Sequence, residues 1–172
     1  MKNYFLFIVF FILFTSKSFS EDYKFTKITN LNEPWGSSFI NNDQIIITEK
    51  GGKIKIINIT SKAISEVDHN INFLNIGQGG LLDILYKDNF LWISYSEDRG
   101  DWRTSTSIAR AKLNKKKLNF KNIFQANPPI DSGYHFGSRL AIKDNYLFAS
   151  IGERGQGMIA QDPNKHPGSI IR

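Results

Sequence analysis

The chain has 172 residues, no cysteine, 41% hydrophobic and 13% aromatic residues, and a formal net charge of +6. The apolar content excludes wholesale disorder and suffices for one domain with a sizeable core. The lack of cysteine excludes a disulfide framework, a cysteine-ligated zinc or iron–sulfur site and a thiol nucleophile.

Residues 1–20 read as a leader. Lys2 precedes a continuous apolar run from Tyr4 to Thr15, and Ser18 and Ser20 place small side chains just before Glu21. That is the pattern of a cleavable secretory signal peptide. The run is shorter than the roughly 20 residues a bilayer span needs, and no cysteine follows it to carry a lipid. Removal of the leader takes away Lys2 and Lys17 and no acid, so the formal net charge falls from +6 to +4. Residues 21–172 contain no second apolar stretch of spanning length. The mature chain is therefore expected without a membrane span, in the periplasm or secreted.

Glu33-Pro34-Trp35-Gly36 comes first in the mature chain, with Trp35 expected to pack at the entry to a strand. Gln44–Thr48 and Lys53–Ile59 flank Gly51-Gly52. The second run alternates lysine with isoleucine, the period of a half-buried strand, and the glycine pair suits a tight hairpin. Leu81–Tyr86 and Phe90–Ser96 flank Lys87-Asp88-Asn89, another turn. Thr104–Leu113 and Leu118–Gln125 flank Lys115-Lys116-Lys117. Those lysines belong to the densest basic stretch, Arg110 to Lys121, and their place between two strands marks a solvated turn rather than a nucleic-acid surface. Ser138–Ile142 and Tyr146–Ile151 flank Lys143-Asp144-Asn145, and Gly168–Arg172 resembles the opening of one more strand. No segment sustains a 3.6-residue period, so the class is all-β.

The chain also repeats itself. Lys87-Asp88-Asn89-Phe90-Leu91 with Ser94 and Glu97 recurs 56 residues later as Lys143-Asp144-Asn145-Tyr146-Leu147 with Ser150 and Glu153. A fainter echo runs from Asn42 to Glu49. A four-stranded unit recurring every 40 to 55 residues or so is the mark of a propeller blade. Propellers close with about four to eight blades, and residues 21–172 suffice for about three at that period.

Three glycine-rich segments stand apart from plain strand and turn. In Gly77-Gln78-Gly79-Gly80 the glycines let backbone approach closely and the Gln78 amide both donates and accepts. The segment lacks the lysine and hydroxyl of a phosphate loop. By residue type, a ligand contact and a tight turn between blades stay equally open. Gly133-Tyr134-His135-Phe136-Gly137 sets a histidine between aromatics and glycines, suited to a general base or to a purely structural role. Gly152-Glu153-Arg154-Gly155 closes a strand one hairpin later. Adjacent strands would bring Glu153 to the same end as His135, where a carboxylate fixes an imidazole tautomer; a surface ion pair of Glu153 with Arg154 is the plainer alternative. His69 and His166 lie among turn residues, and the three histidines show no metal-ligand spacing. Neither a GxSxG elbow nor a GxGxxG between strand and helix is present, which argues against a serine hydrolase and a nicotinamide site.

Taken together, these segments resemble the soluble glucose/sorbosone dehydrogenase family, the PQQ-dependent aldose sugar dehydrogenases. The matching pieces are Pro34-Trp35-Gly36, Thr48-Glu49-Lys50-Gly51-Gly52, GQGGLLD at Gly77–Asp83, Trp92–Ser96, His135-Phe136-Gly137-Ser138-Arg139, Ile151–Gly155, Ala160-Gln161-Asp162 and His166–Arg172. They occur in family order and cover Pro34–Arg172. The resemblance implies a six-bladed β-propeller of four-stranded antiparallel blades, with 21–172 as its N-terminal part. It implies oxidation of an aldose at the anomeric carbon to a lactone, with PQQ as hydride acceptor. His135 would be the general base, Glu153 its support and Gln78 a contact to cofactor and sugar. The family often carries Asp where this chain has Glu153, and a second glycine where it has Ser138. Ca²⁺ is also implied, with its ligands and the remaining PQQ contacts expected beyond Arg172, so that 21–172 alone is expected to be inactive. A small-molecule sugar is the expected partner, and the electron acceptor is unknown. The alternatives are a non-catalytic propeller binding a glycan or a protein, and a calcium lactonase, for which no carboxylate/Asn cluster is evident.

Overall fold

The computed structural model describes residues 23–172; the leader expected at 1–20 lies outside the described residues. The described residues are all-β, with one short 3₁₀ turn among them at Gly157–Gln161. β1 (Pro34–Phe39), β2 (Gln44–Glu49), β3 (Lys53–Asn58) and β4 (Ile64–His69) form an antiparallel meander. β5 (Leu81–Lys87), β6 (Phe90–Asp98) and β7 (Thr104–Lys112) begin a second sheet. After β7 the expected single strand is split in two: β8 (Lys117–Leu118) pairs parallel with β4, and β9 (Lys121–Gln125) returns to β7. This detour seats Leu118 and Phe120 in the core between the first two sheets and leaves Lys115 and Lys116 in solvent. β10 (Gly137–Lys143), β11 (Tyr146–Ile151) and β12 (Ile170–Ile171) make the third sheet, also antiparallel. The three sheets are successive propeller blades, with β1, β5 and β10 each leading one of them.

The repeated turns have the backbone the sequence calls for. Asp88, Asn89 and Asp144 all have positive φ, a conformation that Asp and Asn tolerate better than most side chains. Between the blades the packing is aliphatic. Ile46, Ile54, Ile56, Leu81, Ile84, Leu91 and Ile93 fill one seam, and Ile108, Leu140 and Ala149 a second. Trp35 does not pack as expected: it lies within β1 and is exposed.

A hydroxyl recurs at the same place in each blade, buried at Thr48 and Ser94 and half-buried at Ser150. The leading strand is irregular near its start, with register shifts between Pro34 and Ser37, Leu81 and Ile84, and Gly137 and Leu140. There a backbone N–H leaves the ladder and donates to the hydroxyl of the next strand. Gly36 donates to Thr48, Asp83 to Ser94 and Arg139 to Ser150, each at 3.0 Å. The hydroxyl then donates to the following blade: Thr48 Oγ1 to the Leu82 carbonyl at 2.5 Å, and Ser94 Oγ to the Ser138 carbonyl at 2.7 Å. Thr48 and Ser94 thus carry an inter-blade hydrogen bond at equivalent places in the first two blades. Ser94→Ala removes the partner of two buried backbone groups and is expected to cost about 2 kcal/mol, read as a lower denaturation midpoint with an unchanged slope.

Candidate active site

The three glycine-rich segments meet at one end of the second and third blades, where β5 and β10 begin and β11 finishes. Their backbones interlock. The Gln78 N–H donates to the Gly133 carbonyl at 2.7 Å, the Gly152 N–H to Phe136 at 3.0 Å, and the Arg154 N–H to His135 at 3.3 Å. This closeness explains two of the glycines. A Cβ at Gly77 would overlap the backbone of Gly133, and one at Gly152 would overlap the carbonyl of His135.

That frame brings together the three residues singled out from the sequence. His135 has a left-handed backbone, φ 49°, and its N–H donates to Gln78 Oε1 at 2.9 Å. Its ring Nδ1 lies 2.5 Å from Glu153 Oε1. The same carboxylate oxygen accepts the Gly155 N–H at 3.1 Å. Glutamate in place of aspartate therefore reaches the imidazole. Glu153, with His135 hydrogen-bonded to it, is held below its ordinary value of 4.5. The His135 side chain is 54% exposed, and among the described residues Nε2 has no partner while Nδ1 is tied. Gln78 has its oxygen committed to His135, and among the described residues its amide N–H₂ has no acceptor. The Lys50 ammonium donates to the Gly77 carbonyl at 3.0 Å and pairs with Glu33 at 3.1 Å.

The sequence does not reveal Arg154. It is no surface partner of Glu153: it is 2% exposed and turns beneath the histidine loop. Its Nε donates to the Tyr134 carbonyl at 2.9 Å, its NH1 to the Thr104 carbonyl at 2.9 Å, and its NH2 to Thr104 Oγ1 at 2.6 Å and to the Ser132 carbonyl. The guanidinium lies 3.7 Å from the centre of the Phe136 ring. Burial pushes it down to about 10, against the opposing charge of Glu153, so it stays a cation at neutral pH. Asp83 of GQGGLLD is a second such anchor. It is buried, and its carboxylate accepts Arg139 NH1 at 2.9 Å and the Leu140 N–H at 2.8 Å.

Among the described residues no group of three or more His, Asp or Glu side chains is arranged to hold a metal ion. Likewise, no helix among them is long and apolar enough to cross a membrane.

A histidine–carboxylate pair on glycine-rich loops thus stands at one end of consecutive blades in a protein of the propeller class. The chain belongs to the glucose/sorbosone dehydrogenase family, whose model matches residues 31–172. It is 31% identical over 152 residues to the aldose sugar dehydrogenase YliI of Escherichia coli, a match covering 83% of this chain and 41% of that protein. The apo-form of the soluble aldose sugar dehydrogenase from E. coli superposes with a TM-score of 0.75 at 31% identity, over 82% of this chain and 44% of that one. The PQQ-bound aldose sugar dehydrogenase of Streptomyces coelicolor shares the fold, with a TM-score of 0.74 at 22% identity over 84% and 45%. The chain thus spans about two fifths of the length of the curated relatives it matches.

Glu153→Gln is expected to free the imidazole to change tautomer, read as a change in the ring-nitrogen NMR signals of His135. A depressed carboxyl stabilises the fold fully above its unfolded value and loses that contribution as pH falls through the folded one. The Tm difference between wild type and Glu153→Gln should therefore persist at neutral pH and close below pH 4.5.

Proposed function

We propose that residues 21–172 are the N-terminal part of a six-bladed propeller that oxidises an aldose at its anomeric carbon to a lactone, with PQQ as cofactor. On this reading, residues 1–20 are a cleaved signal peptide and the enzyme works in the periplasm or outside the cell. The observation that carries the proposal is the triad of contacts at His135: backbone N–H to Gln78, ring Nδ1 to Glu153, and an exposed Nε2. The family membership and the aldose dehydrogenase relatives support the substrate class.

The donors at the site suit an acidic quinone. The uncommitted Gln78 amide and the Lys50 ammonium offer hydrogen bonds and positive charge, and the glycines allow close approach of a flat ring. Gln78, with His135 beside it, would hold the cofactor on this side. When bound, PQQ supplies a quinone able to accept hydride. The part of this chain is proton transfer and alignment. With Nδ1–H directed at Glu153, Nε2 carries the lone pair and can take the proton of the anomeric hydroxyl. Glu153 then stabilises the imidazolium that results. The family resemblance implies Ca²⁺ as well, with its ligands beyond Arg172.

The test is dye-linked oxidation of an aldose panel by the full-length protein, with PQQ and Ca²⁺ supplied. Aldose-dependent dye reduction with a lactone product is the expected result. Sugar binding without any dye reduction would overturn the reading in favour of a non-catalytic glycan-binding propeller.

A further inference from the structure

The turns at the end of the blades opposite His135 join into one continuous face. β5 and β10 begin at the candidate active site and run away from it, to Lys87 and Lys143. Their far ends touch: Lys87 Nζ donates to the Asp144 carbonyl at 3.4 Å. The turn after β7 ties this pair to the first blade, with Leu113 N–H donating to the Asn89 carbonyl at 2.9 Å and Lys115 Nζ to Gln44 Oε1 at 2.8 Å. Within the first blade, Ile59 N–H donates to the Asp43 carbonyl at 2.8 Å and Thr60 Oγ1 to its carboxylate at 3.3 Å. The turns of all three blades are thus held side by side.

That face is basic. Lys62, Lys87, Lys112, Lys115, Lys116 and Lys143 are exposed, and none of them belongs to an ion pair among the described residues. At the His135 end, by contrast, Lys50, Arg99 and Arg103 are each matched to a carboxylate. Asp43, Asp88 and Asp144 share the basic face but do not cancel it. Asp43 is bonded to Thr60, and Asp88 and Asp144 serve as left-handed turn residues, φ 49° and 54°. Their short side chains stay near the backbone, whereas lysine stems carry their charge outward. Apolar side chains stand among the lysines. Ile64 and Tyr146, 45% and 51% exposed, follow the turns that carry Lys62 and Lys143, and Phe39, Ile40 and Tyr86 line a cleft with Lys87. A protein-docking patch concentrates aromatic residues and arginine at its centre and is poor in lysine. Lysines spread over three blades, with apolar groups between them, match a bilayer surface. There ammonium groups meet anionic headgroups and apolar side chains enter the acyl boundary.

We propose that this face docks on a membrane rich in anionic phospholipid, holding the protein at the surface with the His135 end turned to the aqueous side. The test is sedimentation of the full-length, leader-free protein with two kinds of vesicle, phosphatidylcholine alone and phosphatidylcholine with an equal part of phosphatidylglycerol. The protein should sediment with the anionic vesicles and not with the neutral ones, and raised salt should release it. Each lysine near such a surface strengthens partition about fivefold. The triple variant Lys62→Gln, Lys115→Gln, Lys143→Gln should therefore bind the anionic vesicles about a hundredfold more weakly, with the Tm of wild type. A control triple variant, Lys53→Gln, Arg103→Gln, Lys165→Gln, removes the same charge elsewhere and should bind as wild type does. Equal sedimentation with both kinds of vesicle, or with neither, overturns the proposal. So does undiminished binding by the first triple variant, or an equal loss in the control, which would reduce the effect to net charge. Retention on a dissolved polyphosphate without sedimentation on vesicles would assign the face to a soluble polyanion and overturn the membrane.

Discussion

Replacing His135 with alanine in the full-length, PQQ-loaded protein is expected to reduce aldose oxidation by about 10²–10⁴-fold, the usual contribution of a positioned general base, while PQQ binding is largely retained. The loss should fall on kcat more than on KM, because the imidazole acts on the hydroxyl proton in the transition state. The backbone argument sharpens the test. The His135 N–H, not its ring, is what Gln78 holds, so alanine keeps that hydrogen bond and the loop need not collapse. Single-turnover dye reduction alongside a spectroscopic PQQ titration separates the two effects. Activity within tenfold of wild type would remove His135 from the role of base.

Arg154→Met should damage stability. It leaves the Tyr134 carbonyl without a donor, while the carbonyls of Thr104 and Ser132 each lose one of two donors and keep Ile130 N–H and Thr104 Oγ1. An unsatisfied buried group costs about 1–3 kcal/mol, and relief from burying a cation offsets part of this, so a net loss of about 2 kcal/mol is expected. Arg154→Lys keeps the charge but not the planar fork that serves several acceptors at once, and should fall between. Denaturant titration reads the global effect. Amide exchange across 132–136 should quicken in both variants; if it matches wild type, Arg154 does not hold the histidine loop.

Most strands were legible because their residues are the kind that pack on a pleated surface and their turns carry glycine, Asp or Asn. β2, β3, β6 and β11 fall close to the limits that pattern sets. β4 was not legible: of Ile64–His69 only Val67 is buried, so no alternation survives on this outer strand. β1 begins with Pro34 and carries Gly36, which read as punctuation. The two-residue β8 exists only because β4 offers it a free edge. The candidate site divides in the same way. His135, Glu153 and Gln78 could be proposed because their residue types announce proton transfer and amide bonding, and hairpin geometry could place His135 and Glu153 at one end. Arg154 could not, since its role depends on burial. The one available hint was a strand end where an arginine and a glycine follow the acid directly.

The hydroxyls of Thr48 and Ser94 donate forward along the chain, each to the blade that follows. Thr48 precedes its acceptor Leu82, and Ser94 precedes Ser138. During synthesis each blade therefore leaves the ribosome with a donor whose acceptor has not yet been made, and is completed only when its successor arrives. Growth is vectorial, with the most recent blade the least secure. On the proposed six-bladed reading Ser150 would face a fourth blade in the same way: among the described residues its hydroxyl accepts from Arg139 and donates to none. A pause in translation just after the third blade would expose that edge for longest, and there misassembly with a neighbouring nascent chain would begin.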